Sequence, residues 1–218
     1  MAGPFTTLPC PELHISRFGV IPKNNQPGQW RLILDLSSPK GHSVNDGIPK
    51  PLFSVHYVTV DSFIKGIMAP GRGTLMAKFD VASANRNVAI HPQDRSLLGM
   101  RWRGKYYVDM ALPFGLRSAP YIFTAIANMV EWMLTHNYGV TFLRHYLDDF
   151  MTLGPPASLI CHHNLQACIR LCSILRLPLH PCKLEGPTTP LSILGIELDS
   201  TTLQPSCRRR REIGSFHC

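Results

Sequence analysis

The sequence predicts an α+β fold, an antiparallel sheet with helices packed on one face, and three observations lead there. Short β-like runs are joined by turn formers, as in FGVIPKNNQPGQWRLILDL. Apolar residues recur at helical spacing in two longer stretches, first Ile122, Ile126, Met129 and Met133, then Leu165, Cys168, Cys172 and Leu175. Between and around these helices lie apolar strands, giving the order strand, helix, hairpin, helix, strand.

Composition narrows the class. With 44% hydrophobic and 17% charged residues, the 218-residue chain can bury a core and belongs with globular proteins of one or two domains. Nineteen prolines and 16 glycines favour short elements with sharp connections over a long-helix bundle. The net charge is +8, of which the last 18 residues contribute +3 through Arg208 to Arg211 against Glu212. A moderately basic body suits a polyanionic partner such as nucleic acid. Seven cysteines without a CxxC pair do not make a zinc pattern; Cys168 and Cys172 read as buried, reduced thiols on a core stripe. The N-terminus lacks a secretory signal, and no apolar run of about 18 residues follows, so an intracellular chain without a membrane partner is expected. Oligomeric state is not legible.

Taken in order, residues 18–22 and 30–36 form a hairpin whose tip carries Lys23, with Arg31 near it. A Pro/Gly-rich loop, SSPKGHSVNDGIPKP, leads to a short helix around 54–67. LMAKFDV, 75–81, is a buried strand with a single acid, Asp80, and residues 97–112 form a second hairpin around Gly104. In LPFGLRSAP, Ser118 is the N-cap and Pro120 the first-turn proline of a helix ending near Asn137 and Gly139. VTFLRHYL and FMTL are strands divided by Asp148 and Asp149, which therefore occupy a hairpin turn. A helix over 158–176 and a final strand, LSILGIEL at 191–198, complete the pattern.

The paired aspartates carry the chemistry. Charged groups enter apolar company only with a partner. Adjacent strand residues point to opposite faces, so two neighbouring aspartates share a cation only if the backbone turns between them. The turn makes Asp148 a direct ligand and Asp149 a second ligand or an electrostatic neighbour, with Asp80 on an adjacent strand as the third carboxylate. Such an oxygen set suits magnesium. Two divalent ions about 3.5–4 Å apart can activate an attacking hydroxyl and stabilise a leaving oxygen at phosphorus.

KFDVASANRNVAIHP, LPFGLRSAPYIF, the YLDD hairpin, the lysine of HPCKLEG and SILGIEL resemble, in order and spacing, the motifs of reverse transcriptases, and among these of retrotransposon enzymes of the DIRS-like, tyrosine-recombinase-bearing kind. The resemblance covers residues 14–200, with 1–13 an N-terminal tail and 201–218 an unrelated Arg-rich tail. It implies the right-hand polymerase fold, palm and fingers present and thumb absent, and RNA-directed DNA synthesis on a template-primer from deoxynucleoside triphosphates. By the same resemblance Asp80, Asp148 and Asp149 bind two magnesium ions, with manganese a substitute, and the Val81 carbonyl touches a metal. Lys23 and Arg31 contact the triphosphate, Phe114 and Gly115 shape the nucleotide pocket, Lys183 assists the pyrophosphate leaving group, and Leu194 and Gly195 form the primer-gripping turn. Some members carry glutamine where Phe114 stands. Taken alone, the basic residues are solvated charges, Phe114 and Gly115 a helix-entry turn, and Leu194 and Gly195 part of a core strand. Trp30 and Trp102 are candidates for base stacking, and Trp132 for packing.

Two departures matter. Position 85 is normally Tyr or Phe in the family, where the ring leaves no room for a ribose 2′-hydroxyl; here it is Asn85, which opens that space. The resemblance also fades after ELDSTTLQ. A catalytically impaired nucleic-acid-binding relic is the rival expectation. An RNA-directed RNA polymerase, the third, is disfavoured by the Tyr-Leu before the acids and by LPFGLRSAP.

Overall fold

A computed structural model describes residues 1–23, 28–202 and 204–207, the last four by backbone alone. The strands are β1 (Ala2–Phe5), β2 (Arg17–Pro22), β3 (Trp30–Asp35), β4 (Leu75–Asp80), β5 (Gly99–Trp102), β6 (Lys105–Val108), β7 (Leu143–Tyr146), β8 (Asp149–Gly154), β9 (Glu185–Thr188), β10 (Pro190–Ile193), β11 (Ile196–Asp199) and β12 (Gln204–Cys207). The α-helices are α1 (Val60–Met68), α2 (Ala119–Asn137) and α3 (Ile160–Ile174). Among the described residues two compact units result, the first from residues 1–56 with 83–127, the second from residues 57–82 with those from 128 onward. No helix among the described residues is long and apolar enough to cross a membrane.

In the second unit, β7, β8, β4 and β9 form one antiparallel sheet in that order. Strand alternation puts Met76, Lys78 and Asp80 of β4 on one face, opposite their register partners Leu153, Met151 and Asp149 of β8. Toward the middle of that face, α1 and the β10–β11 hairpin bury Phe63, Ile67, Met76, Met151, Leu153, Leu191, Ile193 and Leu198 together. Each such side chain contributes about 1.5–3 kcal/mol by leaving water. The other face is laid down by Phe79 and Phe150, register partners whose rings stack at 4.7 Å. There α3 packs through Cys161, Leu165, Cys168 and Cys172. The Asn164 amide donates to Thr152 Oγ1 and the Leu153 carbonyl, at 3.1 and 3.0 Å. Burial pushes the Cys161 and Cys172 thiols up to about 11 and raises Cys168 as well, so all three stay protonated.

The first unit holds the sheet β1–β6–β5 and the ribbon β2–β3 around Leu34, Leu36, Leu98 and Met100. Its irregular loop is ordered by one buried amide. Asn45 Nδ2 donates to Ser37 Oγ and the Gly115 carbonyl, both at 2.8 Å, while Oδ1 accepts from the Arg117 N–H at 2.7 Å. Gly115 has φ +105°, and a Cβ there would lie 2.1 Å from the Leu34 carbonyl oxygen, so only glycine fits.

Several expectations need correction. The helix placed at 54–67 begins at Val60, because residues 50–53 form a separate 3₁₀ turn starting at Pro49. LSILGIEL is a hairpin, not one strand: Leu194 and Gly195 both have positive φ and turn β10 back as β11. Asp148 lies in the β7–β8 turn, but Asp149 is already the first residue of β8. Trp132 does not pack; it is exposed and stacks on His136, one turn along α2. The Ser118 carbonyl accepts the first helical bond of α2, from Ile122. The basic tip beyond Lys23 and Arg208 to Arg211 lie outside the described residues.

Buried His145 of β7 tilts against Phe150 and shares a 2.9 Å hydrogen bond through Nε2 with Asn128 Oδ1, while Glu131 lies 3.7 Å away and is paired with Arg144. Burial, assisted by the Arg144 charge, lowers the pKa of His145. The unfolded chain therefore binds a proton that the folded chain refuses, and stability is lost as pH falls from about 6.5. Thermal melts of the two proteins side by side across this range are expected to show His145→Gln gaining on the unsubstituted protein as pH falls, by at most about 1.4 kcal/mol per pH unit, a difference in which the titration of every other group cancels.

Candidate active site

Asp80 and Asp149 close the ends of two paired strands and, by alternation, share a face. Asp148 joins them from the turn, and one oxygen from each carboxylate lies within 4.8 Å of the other two. The turn is under strain. Leu147 adopts φ +53°, a left-handed conformation that two-residue hairpin turns normally give to Gly, Asn or Asp. Residues beside Asp80 are tied on two sides: the Val81 N–H donates to the Asp148 carbonyl at 3.0 Å, and the His180 N–H donates to the Asp80 carbonyl at 2.9 Å. Val81 is itself buried.

Lys183 supplies the local cation. Its Nζ lies 2.5 Å from Asp80 Oδ2 and 4.0 Å from Asp149 Oδ1. Burial opposes its charge, but the hydrogen bond to Asp80 and the three carboxylates outweigh this and raise its pKa. Asp149 is pushed up to about 6, first by burial, then by its hydrogen bond with Asp80 and the charge of Asp148, with Lys183 pulling the other way. Three carboxylates thus crowd around the one ammonium that pairs with Asp80. The donor set is all hard oxygen, without nitrogen or sulfur, and magnesium fits it.

Tyr57 was not legible as part of this region. Its ring lies 4.8 Å from that of Tyr146, the residue before the turn, and burial together with Tyr146 raises its phenol pKa. Only the pairing of two sequence-distant segments reveals it. Leu194 and Gly195 sit at the β10–β11 turn of the same unit.

The other expected contacts belong to the first unit. Arg31 places its guanidinium 4.8 Å from the centre of the Phe114 ring, next to Gly115. Their neighbourhood comes from the backbone, where the Leu34 N–H donates to the Phe114 carbonyl. Lys23 stands apart at the ribbon end and donates to Gln29 Oε1 at 3.2 Å. Asn85 lies half-buried in a 3₁₀ turn after Ser83, itself at φ 53°. That turn is anchored by Arg86, whose guanidinium grips the buried Asp109 carboxylate at 2.6 and 2.7 Å. The Arg86–Asp109 pair was not foreseen; an arginine and an aspartate 23 positions apart carry no local signal.

An antiparallel sheet that ends in three converging carboxylates, backed by helices, defines a polymerase palm. Residues 21–198 match the family described as reverse transcriptase (RNA-dependent DNA polymerase), and the chain belongs to that family. Polyprotein P3 of Commelina yellow mottle virus is 28% identical over 134 residues, which are 62% of this chain and 7% of the polyprotein. The foamy viral protease-reverse transcriptase, solved with double-stranded DNA, superposes with a TM-score of 0.64 at 20% identity over 86% of this chain and 30% of that one. With an RNA/DNA hybrid the values are 0.61, 20%, 88% and 23%. The native prototype foamy virus enzyme gives 0.58, 22%, 89% and 23%. These structures show the shared fold, and the chain spans less than a third of each of them.

If the acids form a cation site, millimolar magnesium is expected to raise the melting midpoint, by about 2–4 °C per kcal/mol of binding. Asp149→Asn removes one of the crowded charges; it is expected to melt no lower than the unsubstituted protein without metal, and to lose most of the magnesium response. Calorimetry with and without chelator measures both.

Proposed function

We propose that this chain is the fingers-and-palm part of an RNA-directed DNA polymerase, adding deoxynucleotides to a primer end paired with an RNA or DNA template. The observation that carries the reading is the convergence of Asp80, Asp148 and Asp149, with Lys183 on Asp80. Two magnesium ions, or manganese in their place, would supply the charge that activates the primer hydroxyl and stabilises the leaving oxygen. Asp80, Asp148 and Asp149, with the Val81 carbonyl, would hold them. Lys183 carries a proton and a positive charge beside the acids, which fits it to meet the pyrophosphate as its charge grows. Arg31 and Lys23 offer charge to the triphosphate, Phe114 and Gly115 an apolar wall and a close backbone approach, and Leu194 and Gly195 a tight turn for the primer. Residues 14–200 then make up the fingers and palm, and the retrotransposon-like motif spacing suits a DIRS-like retroelement as the source.

Purified protein with poly(rA), oligo(dT), dTTP and magnesium tests the reading. Incorporation is expected, and Asp148→Asn is expected to lower it by about 10²–10³-fold or more, as does loss of one preorganised charge-stabilising group elsewhere. A wild-type protein that binds the template-primer but incorporates nothing would favour the relic instead, to which the small side chain at Asn85 already lends support.

Asn85 bears on sugar choice. Its amide is smaller than an aromatic ring and can hydrogen-bond a 2′-hydroxyl, so discrimination against ribonucleotides should be weak. Primer extension with dTTP and UTP is expected to show a low preference that Asn85→Tyr raises at least about tenfold. A strong preference for dTTP, unmoved by the substitution, would exclude this role.

A further inference from the structure

In the first unit, the β5–β6 hairpin carries an aromatic and basic surface outside the residues proposed above for nucleotide addition. From Arg95 to Val108 the sequence contains no acid, and the tip holds Arg101, Arg103 and Lys105. All three are exposed, and none has a carboxylate partner among the described residues. Arg103 and Gly104 both have positive φ, making a tight two-residue turn that brings Trp102 opposite Lys105. Cross-strand partners share a face, so the indole and the ammonium lie side by side. Trp102 is 53% exposed, although Phe18 packs against its ring in a T-shaped pair at 5.7 Å. The Arg103 guanidinium sits over the same ring at 5.6 Å.

A large aromatic surface left in water, held by a neighbouring ring and flanked by cations without a carboxylate partner, is costly unless something planar and anionic covers it. The guanidinium over Trp102 is planar, and a nucleobase can take its place or close over it. We propose that this hairpin binds single-stranded nucleic acid, with a base stacked on Trp102 and the adjoining phosphates held by Arg103 and Lys105. Duplex bases are already stacked on one another, so the site selects unpaired strands. Under the polymerase reading, on which the strand's identity rests, this is the template stretch not yet copied.

Fluorescence anisotropy of short dye-labelled oligo(dT), oligo(rU) and a blunt duplex, without metal or nucleotide, tests it. Trp102→Ala is expected to weaken single-strand binding at least about fivefold, with Trp102→Phe weaker by less and duplex binding unchanged. Arg103→Asn suits the left-handed turn and removes a charge; it and Lys105→Ala should each lower the single-strand salt slope by about 0.7. A loss confined to oligo(rU) or to oligo(dT) assigns the site to RNA or to DNA. Unchanged affinity for both oligonucleotides in Trp102→Ala, or unchanged slopes in the charge variants, overturns the proposal. Failure of the unsubstituted protein to incorporate dTTP would remove the polymerase reading and leave this site standing.

Discussion

The pairing register of β4 with β8 is the constraint on which the rest of the second unit depends. It sets Asp80 against Asp149 at one end and Met76 against Leu153 near the other. Since side chains alternate, a slip of one residue would drive Asp80 into the helix-packed layer and lift Phe79 out of it. Close approaches resist that slip. A Cβ on Gly154 would lie 2.4 Å from the Cys161 nitrogen, and one on Gly186 would lie 2.3 Å from the Met76 carbonyl oxygen. The stacked pair of Phe79 and Phe150 holds the register from the face away from the acids. Chemistry on one side of the sheet thus relies on apolar packing on the other.

The electrostatics follow from this placement. Apolar strands bring three carboxylates closer than they would settle unaided, and the burial that positions Asp149 also raises its pKa. Lys183 offsets part of the charge. The crowding of like charges costs stability, and under the proposed function it is the property that would recruit a divalent cation, an exchange of stability for function common at active sites.

Much of the site was legible because its signals are local. The YLDD turn, the single acid of LMAKFDV and the lysine of HPCKLEG each stand out from their surroundings, and their order along the chain implied the family. What sequence hid depends on distance or on sidedness. Helical spacing cannot say which stripe of α2 faces solvent, which is why Trp132 reads as packed and proves exposed. Hydrophobic runs also conceal their own turns: LSILGIEL bends because Leu194 and Gly195 take left-handed backbone, and only the glycine hints at it. Asn45 is the extreme case, a polar residue in a Pro/Gly-rich loop that proves buried and fully hydrogen-bonded.

Leu147 has a consequence for how this fold can change. A leucine in left-handed backbone stores strain of order 1–3 kcal/mol, which Gly, Asn or Asp would release. A population of variants screened for heat resistance alone would therefore be drawn toward position 147, and glycine there would loosen the turn that aims Asp148. Under the proposed function the hardiest descendants would be the poorest catalysts, and a screen on this scaffold must hold that position constant or score turnover alongside survival.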